Sequence, residues 1–194
     1  MIAVFFIMLL SIFFLSYYYE KTHFYKVVLI KSDIDSKSYL VRDNEDKQLS
    51  ANLLSKIWIN IKKIDDHLYS NKSSFTKYEK YIEQMNTKLK KTKIQESTDN
   101  GIYTSYSVNK GEQIIFCLRS RKDNGKLHDL NLLMYVVLHE LAHVACPEFG
   151  HTELFKEIFA FIASEAIKIN IYEKIDFRLN NKEYCGLTIS DSII

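Results

Sequence analysis

Between Ser50 and Lys90, apolar residues recur at intervals of three and four, the spacing that keeps them on one face of a helix. Leu53, Leu54, Ile57, Trp58, Ile61, Ile64 and Leu68 form such a stripe, with Lys62, Lys63, Asp65 and Asp66 off it. This predicts a long amphipathic helix starting near Ser50. A second helix is predicted from about Ser74 to Lys90, on Tyr78, Tyr81, Ile82, Met85 and Leu89. After the turn signal Asp99-Asn100-Gly101 the pattern shifts to short runs of aromatic and β-branched residues. Residues 102–108 and 113–118 read as two strands joined as a hairpin around Lys110-Gly111. The polar stretch Ser120 to His128 reads as a loop. Asp129 is a fitting N-cap for a helix that is apolar on nearly every side, and Pro147 ends it. Thr152 can cap a further helix whose buried face is Leu154, Phe155, Ile158, Phe159, Ile162, Ala166 and Ile167. A last strand-like piece runs from Tyr184 to Ile189.

Ahead of these elements, residues 2–19 carry no charge. As a helix they would rise roughly 27 Å, enough for a bilayer core, with Tyr17, Tyr18 and Tyr19 at the interface. No basic residue precedes the run and no small-residue cleavage site follows it, so it reads as an uncleaved anchor, not a signal peptide. Lys21, Lys26 and Lys31 then put the remainder in the cytosol by the positive-inside rule. The stretch up to Asp46 alternates apolar runs with charged clusters and reads as a tether with one or two short strands. The expected organisation is an anchor over 1–20, a tether over 21–46 and one domain over 47–194. The expected fold class is α+β: helices plus a small sheet with an edge hairpin before the central helix, preceded by one transmembrane helix.

Composition narrows this picture slightly. The chain of 194 residues holds one domain and a short extra segment. A net charge of +2 provides no global basic field, so nucleic acid is not a favoured partner. The basic stretch Lys88, Lys90, Lys91 and Lys93 reads as a solvated helix end. Cys117, Cys146 and Cys185 are odd in number and widely spaced, which reads as buried small residues in a reducing compartment, not a disulfide framework.

The chemistry lies in the central helix, where His139, Glu140 and His143 are polar residues in an apolar setting. Two imidazoles four residues apart share a helix face and can reach one zinc ion. Glu140 projects beside the metal, where its carboxylate can serve as general base toward a zinc-activated water. A third ligand is needed. His151 follows the turn Glu148-Phe149-Gly150 and is favoured, with Glu157 and Glu165 as alternatives. Cys146 is a minor candidate ligand. Tyr184 is a candidate for stabilising an oxyanion, against the plainer reading of core packing.

The stretch from Ile115 to Arg121, then Val137-Leu-His139-Glu140-Leu-Ala-His143, then Gly150-His151 with Phe155 behind it, resembles the WLM family of zinc peptidases, relatives of the SprT-like proteases. The resemblance spans roughly residues 102–161. It implies a short zincin fold, zinc held by His139, His143 and His151, Glu140 as base, and the Gln113–Leu118 strand beside the cleft. Characterised members of that family cleave proteins crosslinked to DNA. Membrane-anchored proteins with such a core are similar to those of large DNA viruses, which implies a viral origin and a virion or host-cell membrane. The expectation is thus a single-pass membrane zinc metallopeptidase acting on a protein or peptide. The alternatives are an idle structural membrane protein with a zinc-stabilised fold, or a protease of DNA-crosslinked proteins.

Overall fold

The computed structural model describes residue 6 and residues 8–16, 27–98 and 104–194 of the chain. Strands β1 (Val27–Lys31) and β2 (Ser38–Arg42) form an antiparallel hairpin. The long helix α1 (Lys47–Ser70) and the shorter α2 (Glu79–Leu89) follow, with a 3-10 turn at Lys72–Ser74 between them. Strands β3 (Lys93–Glu96), β4 (Tyr106–Val108) and β5 (Gln113–Phe116) make a sheet in the order β3-β5-β4, parallel between β3 and β5 and antiparallel between β4 and β5. Helices α3 (Leu130–Ala145) and α4 (Glu153–Lys168) come next, and β6 (Lys182–Tyr184) with β7 (Leu187–Ile189) closes the chain as a second hairpin. The fold is α+β with small sheets.

The apolar stripes account for the core. Leu54, Ile57, Ile61, Ile64 and Leu68 of α1 are fully buried, as are Leu133, Met134, Val137, Leu138 and Leu141 of α3. Helix α3 is central because almost its whole circumference is apolar, and α1, α2 and α4 cover it. Asp129 caps it, its Oδ1 accepting from the Leu132 N–H at 2.9 Å, and Thr152 caps α4 by accepting from Phe155 at 3.3 Å.

Three expectations are corrected. Among the described residues no helix is long and apolar enough to cross a membrane. The predicted N-terminal transmembrane helix and the single-pass membrane location, with its cytosolic orientation, are therefore not supported. The rest of the apolar stretch, Tyr17 to Tyr19 and the Asp99-Asn100-Gly101 turn lie outside the described residues. Second, the region read as a tether contributes to the core through the buried Tyr39 and Val41. Third, Gln113–Phe116 is the central strand, paired on both sides; the strand of this sheet that lines the cleft is β4, through Tyr106 and Ser107.

The cysteine reading is also revised. Cys117 and Cys185, 68 positions apart, form a disulfide, and Cys146 is a buried free thiol. The β6–β7 hairpin pairs with no other described strand, so the bond ties it to the segment after β5. Closing a loop of that length restricts the unfolded chain, and a pair of Cys→Ala changes at 117 and 185 is expected to cost about 2–4 kcal/mol of stability. Urea unfolding without reductant measures it; equal midpoints would show that the hairpin is held without the bond.

Candidate metal centre

His139 and His143 project from one face of α3 because four residues bring side chains one turn apart. His151 arrives from the turn after α3, where Gly150 takes φ +78°, a conformation that suits a residue without Cβ. The three Nε2 atoms form a nearly equilateral triangle with sides of 3.2, 3.2 and 3.1 Å. Neutral imidazoles cannot satisfy one another in that arrangement, since each N–H···N would be far from linear. One face of a tetrahedral site with Zn–N bonds of about 2.0–2.1 Å has edges of roughly 3.3 Å. The donor set therefore fits zinc in both chemistry and spacing. The triangle is the one group of three or more metal-ligating side chains found together among the described residues.

Phe155, buried in the first turn of α4, underlies all three rings. Its centroid lies 5.0 Å from that of His139, 4.2 Å from His143 and 4.8 Å from His151. Phe159 adds an edge contact to His139 at 5.3 Å. This apolar floor depresses the imidazoles: burial, then the neighbouring histidines, holds His139 at about 3, and burial, then His151 and Lys110, holds His143 at about 4. Both are thus neutral, with lone pairs available, at any pH near neutrality. The sequence marks Phe155 as an apolar position behind His151 in the resemblance motif, but not that its ring packs against all three imidazoles.

Glu140 is 4% exposed, and burial pushes its carboxyl up to about 7. It lines a cleft of about 760 Å³ together with the three histidines. One wall is formed by Thr104 to Ser107 at the β4 edge, another by the β6–β7 hairpin through Tyr184 and Leu187. Tyr184 is buried with its hydroxyl against Ser105 Oγ; burial raises its pKa, with the Glu140 carboxylate adding to the shift. It is thus both a core residue and a lining one.

The other candidate ligands are directed elsewhere. Glu157 pairs with Lys77 at 2.7 Å, and Glu165 pairs with His67 at 2.9 Å and Lys168 at 2.6 Å. Cys146 is not part of the histidine group.

No family model matches the chain, and no solved structure matches it. An uncharacterized protein of Acanthamoeba polyphaga mimivirus is 50% identical over 165 residues, which cover 85% of this chain and 83% of that protein. An uncharacterized protein of invertebrate iridescent virus 6 is 37% identical over 82 residues, 42% of this chain and 44% of its own. One of invertebrate iridescent virus 3 is 40% identical over 83 residues, 43% of this chain and 50% of its own.

Proposed function

We propose that this chain, which belongs to the same family of large-DNA-virus proteins as the mimivirus protein, is a zinc-dependent peptidase of the zincin kind. The observation that carries the reading is three convergent Nε2 donors beside a buried glutamate on the floor of an open cleft. His139, His143 and His151 would hold the ion. When bound, zinc supplies Lewis acidity, polarising a carbonyl and acidifying water. Glu140 does the proton work: its carboxylate takes a proton from water and passes it to the nitrogen of the departing amine. A carboxyl poised near 7 is suited to both transfers.

The Thr104–Ser107 wall gives the substrate a way to bind, since an extended peptide laid along it can add main-chain hydrogen bonds. Among the described lining residues Lys110 is the one lysine or arginine, and its ammonium is engaged with loop carbonyls. The cleft therefore offers little to a polyanion, which favours a peptide over a nucleic-acid adduct. A structural zinc site is closed by four protein ligands; three donors facing a cleft argue against that alternative.

The wild type is expected to carry one zinc per chain after dialysis and His151→Ala much less than one, read by elemental analysis. Full zinc in His151→Ala would move the third ligand to another residue, and none in the wild type would end the metal reading.

A further inference from the structure

The stretch between α3 and His151 has little burial to fix it: Pro147, Glu148, Phe149 and Gly150 are all exposed, Phe149 to 84%. What meets it is polar. The last carbonyls of a helix have no partner within it, and those of α3 are taken by α2: Gln84 Nε2 donates to Val144 O at 3.1 Å and Ala145 O at 3.0 Å, and Lys88 Nζ to Val144 O at 2.9 Å. The next three carbonyls all accept from one group. Lys110 Nζ donates to Cys146 O at 3.4 Å, to Pro147 O, and to Glu148 O at 3.3 Å, and it lies 4.0 Å from the centroid of the Phe149 ring. A single ammonium thus spans the chain up to the residue before Gly150 and His151.

The β4–β5 hairpin is shaped to deliver that ammonium. Its tip comes so close to α3 that a Cβ on Gly111 would sit 2.9 Å from both Val144 methyl carbons. Lys110 itself adopts φ 52°, a left-handed conformation that is uncommon for a long side chain and costs on the order of 1 kcal/mol. Gly or Asn would take that position more cheaply, but neither could reach three carbonyls.

We propose that Lys110 is the positioning residue for His151: it holds the 146–149 turn so that the third imidazole meets the other two. The inference rests on the zinc reading above. It also makes a prediction of sign. A lysine beside a dication site repels the ion, so if Lys110 acted by charge alone, Lys110→Met would tighten zinc binding. If it acts by holding the turn, Lys110→Met weakens binding by about 10- to 100-fold, the usual effect of losing a residue that orients a ligand.

The test is zinc affinity of the full chain, measured by competition with a chromophoric chelator, alongside the melting midpoint of the metal-free protein. Lys110→Met is expected to bind 10- to 100-fold more weakly with the metal-free midpoint close to wild type, and Lys110→Arg to bind nearly as the wild type does. In a His151→Ala background the further change Lys110→Met is expected to cost no further affinity, because the ligand it positions is gone. Unchanged or tighter binding by Lys110→Met would overturn the proposal, as would an equal loss in the His151→Ala background. Failure of the wild type itself to bind zinc is a separate result, and would remove the metal reading together with this inference.

Discussion

Glu140→Gln is expected to keep one zinc per chain while losing peptide hydrolysis by about 10²- to 10⁴-fold, the range a positioned general base contributes. The amide has the shape of the carboxyl and makes no change to the three donor nitrogens, so metal content should not move. It cannot accept a proton, so only the chemical step should suffer. Zinc analysis and cleavage of an unfolded protein substrate, run on the same preparation, separate the two. Wild-type rates in the variant would remove Glu140 from the mechanism; loss of zinc together with activity would make it a structural residue.

The same substitution has a consequence for stability. Burial raises the Glu140 carboxyl from 4.5 to about 7 in the folded chain, which means the folded state resists the charged form. The stability associated with the neutral carboxyl is fully present below pH 4.5 and is lost as pH rises through about 7. Charging a carboxyl held near 7 in the fold costs roughly 3 kcal/mol. The metal-free Glu140→Gln chain should therefore be more stable than the metal-free wild type above pH 7, and equal to it near pH 4. A group that costs the fold this much is better explained by chemistry than by packing.

Helix α3 and its histidines were legible because two signals coincide there: an apolar surface all round, and polar residues at a spacing that puts two imidazoles on one face, within reach of one ligand. The turn to His151 was legible from Pro147 and Gly150. Strand β3 was hidden by its own composition. Lys93, Gln95 and Glu96 look like a solvated tail, yet Glu96 is fully buried because Arg119 meets it from β5's extension. The disulfide was hidden by distance along the chain, since nothing in a 68-residue separation says that two cysteines meet. The hydrophobic N-terminus misled for the opposite reason: its composition satisfied a length rule that the described helix does not. The Lys110 contacts with the carbonyls of the 146–148 stretch are made by tertiary packing, and no local pattern announces them.

The buried Arg119 carries the second large expectation: Arg119→Met should lower stability by about 3–5 kcal/mol, the cost of breaking a buried ion pair from one side. Arginine has five N–H donors, and each has an acceptor here. Nε donates to Glu96 Oε1 at 2.7 Å, Nη1 to Asp46 Oδ2 at 2.7 Å and Gly125 O at 3.2 Å, Nη2 to Asp46 Oδ1 at 2.8 Å and Ser50 Oγ at 2.6 Å. The residue is 3% exposed and Glu96 is 0% exposed, so water cannot replace the bond lost at Glu96, whereas Asp46 is open to solvent on one side. The cluster joins the start of α1, the end of β3 and the loop that leads into α3. Asp46 offers α1 no side-chain cap because both its oxygens serve Arg119. Arg42 donates its backbone N–H to Glu96 Oε2 at 2.9 Å and approaches Oε1 at 3.7 Å, a remaining partner that keeps the expected loss within the stated range. Arg119→Lys retains the charge but not the fork, and should fall between the two. Urea unfolding of the metal-free chains reads all three, and zinc affinity of the folded variants should stay near wild type because none of the cluster touches the histidines. A loss below about 1 kcal/mol, the scale of an exposed pair, would mean that hydrophobic packing alone holds α1 against the sheet.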